Sequence, residues 1–181
     1  MEEKENTPQA EPAQAQTAVP SDYEDRMLEA FVQKPEKFQW YKNAFSKFNV
    51  NGVDRVAWVW SWWAFFGTFW FLLYRKAYLP ALGFFVANVA ASFVPVLGLV
   101  VWILTGGYAT YFVYKTYKAK KEEIEAKIED PQKRIETMRA VGGYNQWVVW
   151  LAVILSALWL LGIVAAIAIP QMVEPTQALN P

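Results

Sequence analysis

The chain has 181 residues, of which 55% are hydrophobic and 17% aromatic, and both fractions exceed those of ordinary soluble domains. It contains no cysteine and no histidine, which excludes disulfides, thiolate or imidazole metal sites, and cysteine or histidine catalysis. The net charge is zero, but most charged side chains fall into two blocks, residues 1–55 and 115–139. This distribution predicts an all-α integral membrane protein with two water-facing parts.

The N-terminal block begins with a polar stretch, residues 1–20, that lacks any apolar period. We expect a disordered tail there and no secretory signal. Residues 21–55 predict two short cytoplasmic amphipathic helices, separated at Pro35, with apolar faces that include Phe31 and Phe45. Such helices either rest on an anionic membrane surface or pack against the protein's own loop helices, and the pattern leaves both alternatives open.

The next segment, residues 56–76, is dominated by aromatic side chains. Its nineteen uncharged residues up to Tyr74 would reach about 28 Å as a helix, close to the hydrocarbon thickness of a bilayer. Trp and Tyr favour the headgroup level over the bilayer centre, and Gly67 and Thr68 are a weak point in the middle of any helix. We predict an interfacial or re-entrant segment, with a full crossing as the alternative.

Residues 77–114 form an uncharged run that would reach about 57 Å as one helix, too long for a single crossing. A transmembrane helical hairpin fits this run, with helices at about 77–93 and 96–114. Pro95 marks the turn between them.

Small side chains follow one face of the first hairpin helix. Gly83, Ala87 and Ala91 recur at every fourth position, which lets another helix approach closely. We expect this strip to pack within the hairpin rather than to drive self-association. Asn88 is costly to bury in an apolar environment, and we expect its amide to bond across the hairpin.

The C-terminal third alternates between charged and apolar sequence. Residues 115–143 predict charged cytoplasmic helices, with a new helix starting at Asp130. Residues 144–170 contain the longest strongly apolar run, closed by Pro170, and predict a transmembrane helix. Residues 171–181 are a short external tail without Lys or Arg.

The basic residues predict an orientation. Lys and Arg collect at cytoplasmic flanks, so the loop 115–143 is predicted inside. Arg75 and Lys76 are separated from it by two crossings and share its side. The basic N-terminal flank shares that side only if residues 56–76 do not cross. Three crossings, with the N-terminus inside and the C-terminus outside, satisfy every flank, whereas four crossings place five basic residues outside.

The sequence contains none of the familiar catalytic, nucleotide-binding or metal-binding motifs. Its carboxylates lie beside Lys and Arg, as on solvated helix faces, and no charged side chain falls within a predicted crossing. We therefore expect no enzyme activity, no cofactor and no coupled pump. The glutamates interleaved with the loop lysines argue against nucleic acid as a partner.

Within the aromatic segment the chain reads WWAFFGTFWFLLYRK. The signature residues are Trp62, Trp63, Phe65, Phe66, Gly67, Phe69, Trp70, Tyr74, Arg75 and Lys76. With the apolar hairpin that follows, this pattern resembles a bacterial family of small membrane proteins, domain of unknown function 2628, over about residues 38–115. One departure is Thr68, where the family commonly has proline. The resemblance implies a bacterial cytoplasmic (inner) membrane and no assigned activity.

Three functions remain compatible with the sequence. The sequence favours the first, a structural or accessory protein whose cytoplasmic helices dock a protein partner, because apolar stripes lie on the charged helices and no catalytic motif is present. The second is a surface protein that responds to membrane lipids or membrane state through the aromatic segment and the basic helices. The third is a small transporter or channel, formed as a homo-oligomer, which needs a polar lumen. Its only candidate lining residues are Asn88, Ser92, Thr105 and Thr110.

Overall fold

The computed structural model describes residues 22–177, with side chains over 22–168 except at position 95. This part of the chain is helical apart from one two-stranded antiparallel hairpin and the connecting segments. Its elements are α1 (Tyr23–Val32), α2 (Pro35–Ser46), β1 (Asn49–Val50), β2 (Val53–Asp54), α3 (Trp62–Tyr74), α4 (Tyr78–Ala91), α5 (Pro95–Lys127), α6 (Pro131–Val141) and α7 (Gln146–Gln177). The predicted tail 1–20 and residues 178–181 lie outside the described part.

Two of these helices, α5 and α7, are long and apolar enough to cross a membrane, and α4 is apolar but shorter. The helical fold class predicted from the sequence is therefore confirmed. The fourteen residues of α4 reach about 21 Å, which is less than the roughly 30 Å of a bilayer core. Residues 149–167 of α7 are exposed over nearly their whole length.

The two N-terminal helices pack on the charged end of α5. We call α1, α2, the β hairpin, α6 and residues 114–127 of α5 the cap. Phe31 is fully buried with its ring centroid 5.1 Å from that of Tyr117. Phe45 contacts Tyr114 and Tyr117 at 5.3 and 5.6 Å. The sequence left open whether these apolar faces lie on a membrane surface or pack against the protein's own helices. In the structure they pack against the protein's own helices.

Helix α5 is continuous through the predicted boundary between residues 114 and 115. It contains 33 residues and reaches about 50 Å. The second helix of the apolar hairpin and the first part of the charged loop are therefore one continuous helix. The change from apolar to charged sequence alters the surroundings of the helix without interrupting its backbone hydrogen bonds. The turn before α5 lies at residues 92–94, as Pro95 predicted, and the helix before it ends at Ala91 rather than near 93.

Helix α6 begins as predicted, with the Asp130 carboxylate accepting a hydrogen bond from the Gln132 N–H at 2.8 Å. The predicted end of the last helix at Pro170 is wrong, because α7 continues to Gln177. A proline removes only one backbone donor, and a long helix in an apolar environment can continue through it.

Candidate functional site

The aromatic segment opens with an extended arm, residues 55–61, that lies along α5. The Val59 N–H donates to Gly107 O at 3.1 Å, and the Ser61 N–H donates to Gly106 O at 2.8 Å. Two of the arm's backbone N–H groups are therefore paired with carbonyl groups of a neighbouring helix. Helical structure begins only at Trp62, where the Ser61 hydroxyl accepts the Ala64 N–H at 3.3 Å.

Two glycines of α5 make room for this arm. A Cβ on Gly107 would lie 2.5 Å from the Trp58 ring, and one on Gly106 would lie 2.9 Å from the Trp60 ring. The two indoles therefore rest directly on the helix backbone. Sequence reasoning missed these glycines, although a glycine pair inside an apolar helix is a signal of close approach.

Helix α3 is broken at Thr68, within the weak point that the sequence predicted at Gly67 and Thr68. Thr68 has φ 45° and ψ −129°, a conformation that strains a β-branched residue by about 1–3 kcal/mol. Its side chain is buried, 7% exposed, so the surrounding packing maintains this backbone. The break therefore forms with threonine at this position, and neither half of α3 is long enough to span a bilayer.

The aromatic segment leaves the cap and returns to it. At its start, the Asp54 carboxylate accepts a hydrogen bond from Lys118 Nζ at 2.8 Å. In its middle, the Phe65 ring centroid is 6.0 Å from that of Trp102, about 24 Å from Lys118 along α5. At its end, Arg75 is buried within the cap. The aromatic segment therefore forms a loop that runs along α5 away from the cap and then returns to the cap.

The signature residues divide between exposed positions at the far end of this loop and positions that contact other parts of the chain. Trp62, Trp63 and Phe66 lie at the far end and are 62%, 74% and 71% exposed. Phe69 packs on Phe85 of α4 at 5.1 Å between ring centroids. The loop therefore presents large apolar side chains outward at its far end and uses the others for contacts with its own chain.

An apolar groove of about 510 Å³ separates the break in α3 from α7. It is lined by Phe66, Gly67, Trp70, Ala152, Leu155, Ser156, Trp159 and Leu160. No charged side chain lines it, so its surface is suited to apolar surroundings.

Arg75 is the largest fully buried side chain in the described residues, 2% exposed. Its Nη1 donates to Val32 O at 3.2 Å, and its guanidinium lies 4.7 Å from the Tyr41 ring and 5.6 Å from the Phe31 ring. Both rings can stabilise the cation through their π faces. Its Nε and Nη2 have no hydrogen-bond partner, and no described carboxylate forms an ion pair with it.

Cations collect around Arg75 where helices α1, α3 and α6 end. Lys76 Nζ donates to Gly142 O, and Lys120 Nζ donates to Val141 O at 2.8 Å, so both cap the C-terminus of α6. Burial, together with the charges of Lys76 and Arg75, lowers the pKa of Lys120. We call Arg75, Lys76 and Lys120 the cationic junction.

Tyr74 and Asn145 connect the start of α7 to the end of α3. Asn145 Nδ2 donates to Leu73 O at 2.8 Å and to the Tyr78 hydroxyl at 3.0 Å, while its N–H donates to Tyr74 O at 2.8 Å. The Tyr74 ring lies 5.1 Å from that of Tyr144. The start of α7 is thus fastened to the end of α3.

The start of the aromatic segment is fastened by Asp54. Its carboxylate accepts from Lys118 and from the Tyr114 hydroxyl, the latter at 2.6 Å. The hydrogen bond from Lys118, followed by that from Tyr114, lowers the pKa of Asp54 from 3.8 to about 2. The carboxylate is therefore ionised wherever the cap is folded near neutral pH.

The predicted small-residue strip lies only partly against the hairpin. Ala91 is 1% exposed, whereas Gly83 is exposed and a Cβ there would meet no atom within 4 Å. Ala87 is half-buried. Asn88 Nδ2 donates to Phe84 O of its own helix at 2.7 Å rather than across the hairpin.

No group of three or more acidic side chains in the described residues is arranged to hold a metal ion. The chain matches no protein-family model, no curated protein and no solved structure. The resemblance drawn from the aromatic signature therefore stays a prediction, and the site is interpreted from its own geometry.

Proposed function

We propose that this protein is a non-enzymatic membrane protein that responds to the state of the bilayer. The observation that carries the proposal is the path of the aromatic segment. Its exposed far end, with Trp62, Trp63 and Phe66, would contact lipid, while its two ends are fastened to the cap through Asp54 and Arg75. A change in the bilayer that displaces the far end would therefore act on the cap.

The proposal includes three crossings, α4, α5 and α7, in a bacterial cytoplasmic membrane, with the cap inside and the C-terminus outside. The returning path of residues 55–75 supports it, because the N-terminal helices and the basic loop then share one side. The short α4 supports a response to thickness, because a helix of about 21 Å fits a thinned bilayer better than an average one.

The other two functions lose support from the same structure. Docking of a protein partner was favoured by apolar stripes on α1 and α2, which are buried in the cap. A transport lumen needs free polar groups that face open space. Asn88, Ser92 and Thr105 each bond a nearby backbone carbonyl. Thr110, whose hydroxyl has no partner among the described residues, is fully buried. Membrane lipids are therefore the partner that we propose.

Single cysteines test the orientation, because the chain has no native thiol. Gln39 and Ala126 are exposed positions in the cap, and Asn180 lies in the C-terminal tail. Each is changed to cysteine and labelled in intact cells with an impermeant maleimide. We expect labelling of Asn180→Cys alone. Labelling of Gln39→Cys as well would mean four crossings and would overturn the proposed loop.

Hydrogen exchange tests the response to the bilayer. The full chain is reconstituted in phosphatidylcholine vesicles of increasing acyl length, and exchange is measured at the Gly143 amide, which bonds Phe31 O at 2.8 Å. We expect protection to change with thickness, and the change to disappear in the triple alanine variant of Trp62, Trp63 and Phe66.

The matched control is a triple alanine variant at exposed apolar positions of α7, Leu158, Leu160 and Leu161. This variant removes exposed apolar surface outside the aromatic segment, so its response should equal that of the unchanged chain. Protection that is independent of thickness in the unchanged chain would refute the proposed function.

A further inference from the structure

We propose that the cationic junction, Arg75 with Lys76 and Lys120, binds a phosphate group. Phosphate is the chemistry shared by an anionic phospholipid headgroup and by free phosphate. The lipid source rests on the proposed function, because it requires the junction to lie at the surface of a bilayer. None of the contacts described above assigns a ligand to these three side chains.

The charge balance of the junction points to an anion. Each helix C-terminus carries about half a negative charge, so the ends of α1, α3 and α6 together supply about −1.5. Three full positive charges face them, which leaves an excess of about +1.5. Among the described residues, no aspartate or glutamate forms an ion pair with Arg75, Lys76 or Lys120. A phosphate ester, with a charge of about −1 to −2, matches this excess.

The unpaired nitrogens of Arg75 are an independent indication. A buried donor without a partner is costly, and Arg75 has two, Nε and Nη2, on a side chain only 2% exposed. Guanidinium groups pair with phosphate oxygens through two parallel hydrogen bonds, which the adjacent Nε and Nη2 can provide.

The two lysines are more exposed than Arg75. Lys76 and Lys120 are half-buried, and each uses one of its three ammonium hydrogens on a carbonyl oxygen at the end of α6. The remaining hydrogens are available to an anion. Lys120 Nζ is 5.7 Å and Arg75 Cζ is 5.6 Å from the centroid of the same ring, that of Phe31. Lys76 and Lys120 bond the carbonyl oxygens of two consecutive residues, Gly142 and Val141, which brings their ammonium groups close together.

Binding is measured on the full chain in nanodiscs of phosphatidylcholine at constant ionic strength. One arm adds inorganic phosphate, and the other replaces part of the lipid by phosphatidylglycerol. The readout is the rate at which Lys120 is acylated by an amine-reactive reagent, followed by mass spectrometry of the peptide. We expect phosphatidylglycerol to protect Lys120, and the Lys76→Gln variant to need about fivefold more of it for half-protection.

The Gln side chain at position 76 keeps a donor for the Gly142 carbonyl, so the fold is expected to survive. Lys133→Gln, at an exposed position of α6, is the matched control and should leave protection unchanged. Protection by phosphatidylglycerol alone identifies a headgroup site, and protection in both arms identifies a site for the phosphate group itself. Absence of protection in both arms, or equal protection in Lys76→Gln and Lys133→Gln, would overturn the proposal.

This outcome is separable from that of the proposed function. The thickness series uses only zwitterionic lipid and reads the Gly143 amide, so it does not depend on anion binding. If the phosphate test fails and the thickness response is observed, only the phosphate-site proposal is refuted. If the thickness response is absent and inorganic phosphate protects Lys120 from acylation, only the proposed function is refuted.

Discussion

Gly107→Ala is the substitution that most directly tests how the aromatic segment is seated. In a helix, this change by itself stabilises by about 1 kcal/mol, because alanine loses less backbone entropy. The new Cβ would, however, lie 2.5 Å from two Trp58 ring atoms, far inside contact distance. The ring cannot withdraw easily, since the neighbouring Val59 N–H is bonded to Gly107 O. Overpacking of this kind costs about 1–3 kcal/mol, so we expect a net loss of up to about 2 kcal/mol.

The matched control is Gly83→Ala on α4, where a Cβ meets nothing within 4 Å. This variant should gain stability, by up to about 1 kcal/mol. Both are measured as shifts in unfolding by SDS in mixed micelles. In a Trp58→Ala background the clash is absent, and Gly107→Ala should also become stabilising, which a double-mutant cycle reports as coupling. Equal gains for Gly107→Ala and Gly83→Ala in the native background would refute the seating of Trp58 on α5.

Two further predictions concern the contacts that fasten the cap. Because the pKa of Asp54 is lowered to about 2 in the folded chain, its carboxylate stabilises the fold above about pH 4 and loses this effect as pH falls towards 2. The stability advantage over Asp54→Asn should therefore decrease across that window in acid titration, and an advantage at pH 2 as large as that at neutral pH would contradict the cause. Asn145→Leu loses two side-chain hydrogen bonds to Leu73 and Tyr78 and should cost about 2 kcal/mol in SDS unfolding. Asn88→Leu, whose amide bonds only its own helix, should cost less, and the opposite order would contradict the role of Asn145.

Several elements could be predicted because their signals are local. An apolar run longer than one bilayer crossing, interrupted at Pro95, predicts two helices and the turn between them, which the structure has at residues 92–94. Asp130 followed by proline predicts a helix start, which its carboxylate completes. Gly67 and Thr68 predict the weak point at which α3 breaks. Each of these depends on the conformational preferences of a few neighbouring residues.

Other features depend on partners that are distant in sequence. The sequence left open what the apolar faces of α1 and α2 contact, because periodicity defines a face and not the surface that covers it. The structure places Phe31 and Phe45 against residues of α5 more than sixty positions away. The preference for docking a protein partner followed from these apolar faces, and their burial within the cap removes its basis.

The sequence by itself determined the helical class of this protein, its apolar runs, and several of its turns and helix boundaries, because these follow from composition and local backbone preference. Only the tertiary structure decided that the arm 55–61 lies on the glycine pair of α5, that Arg75 is buried without a carboxylate, and that three helix ends meet there. These features depend on where separate helices come to lie. A single cation or glycine in the sequence carries no information about the neighbour that will face it.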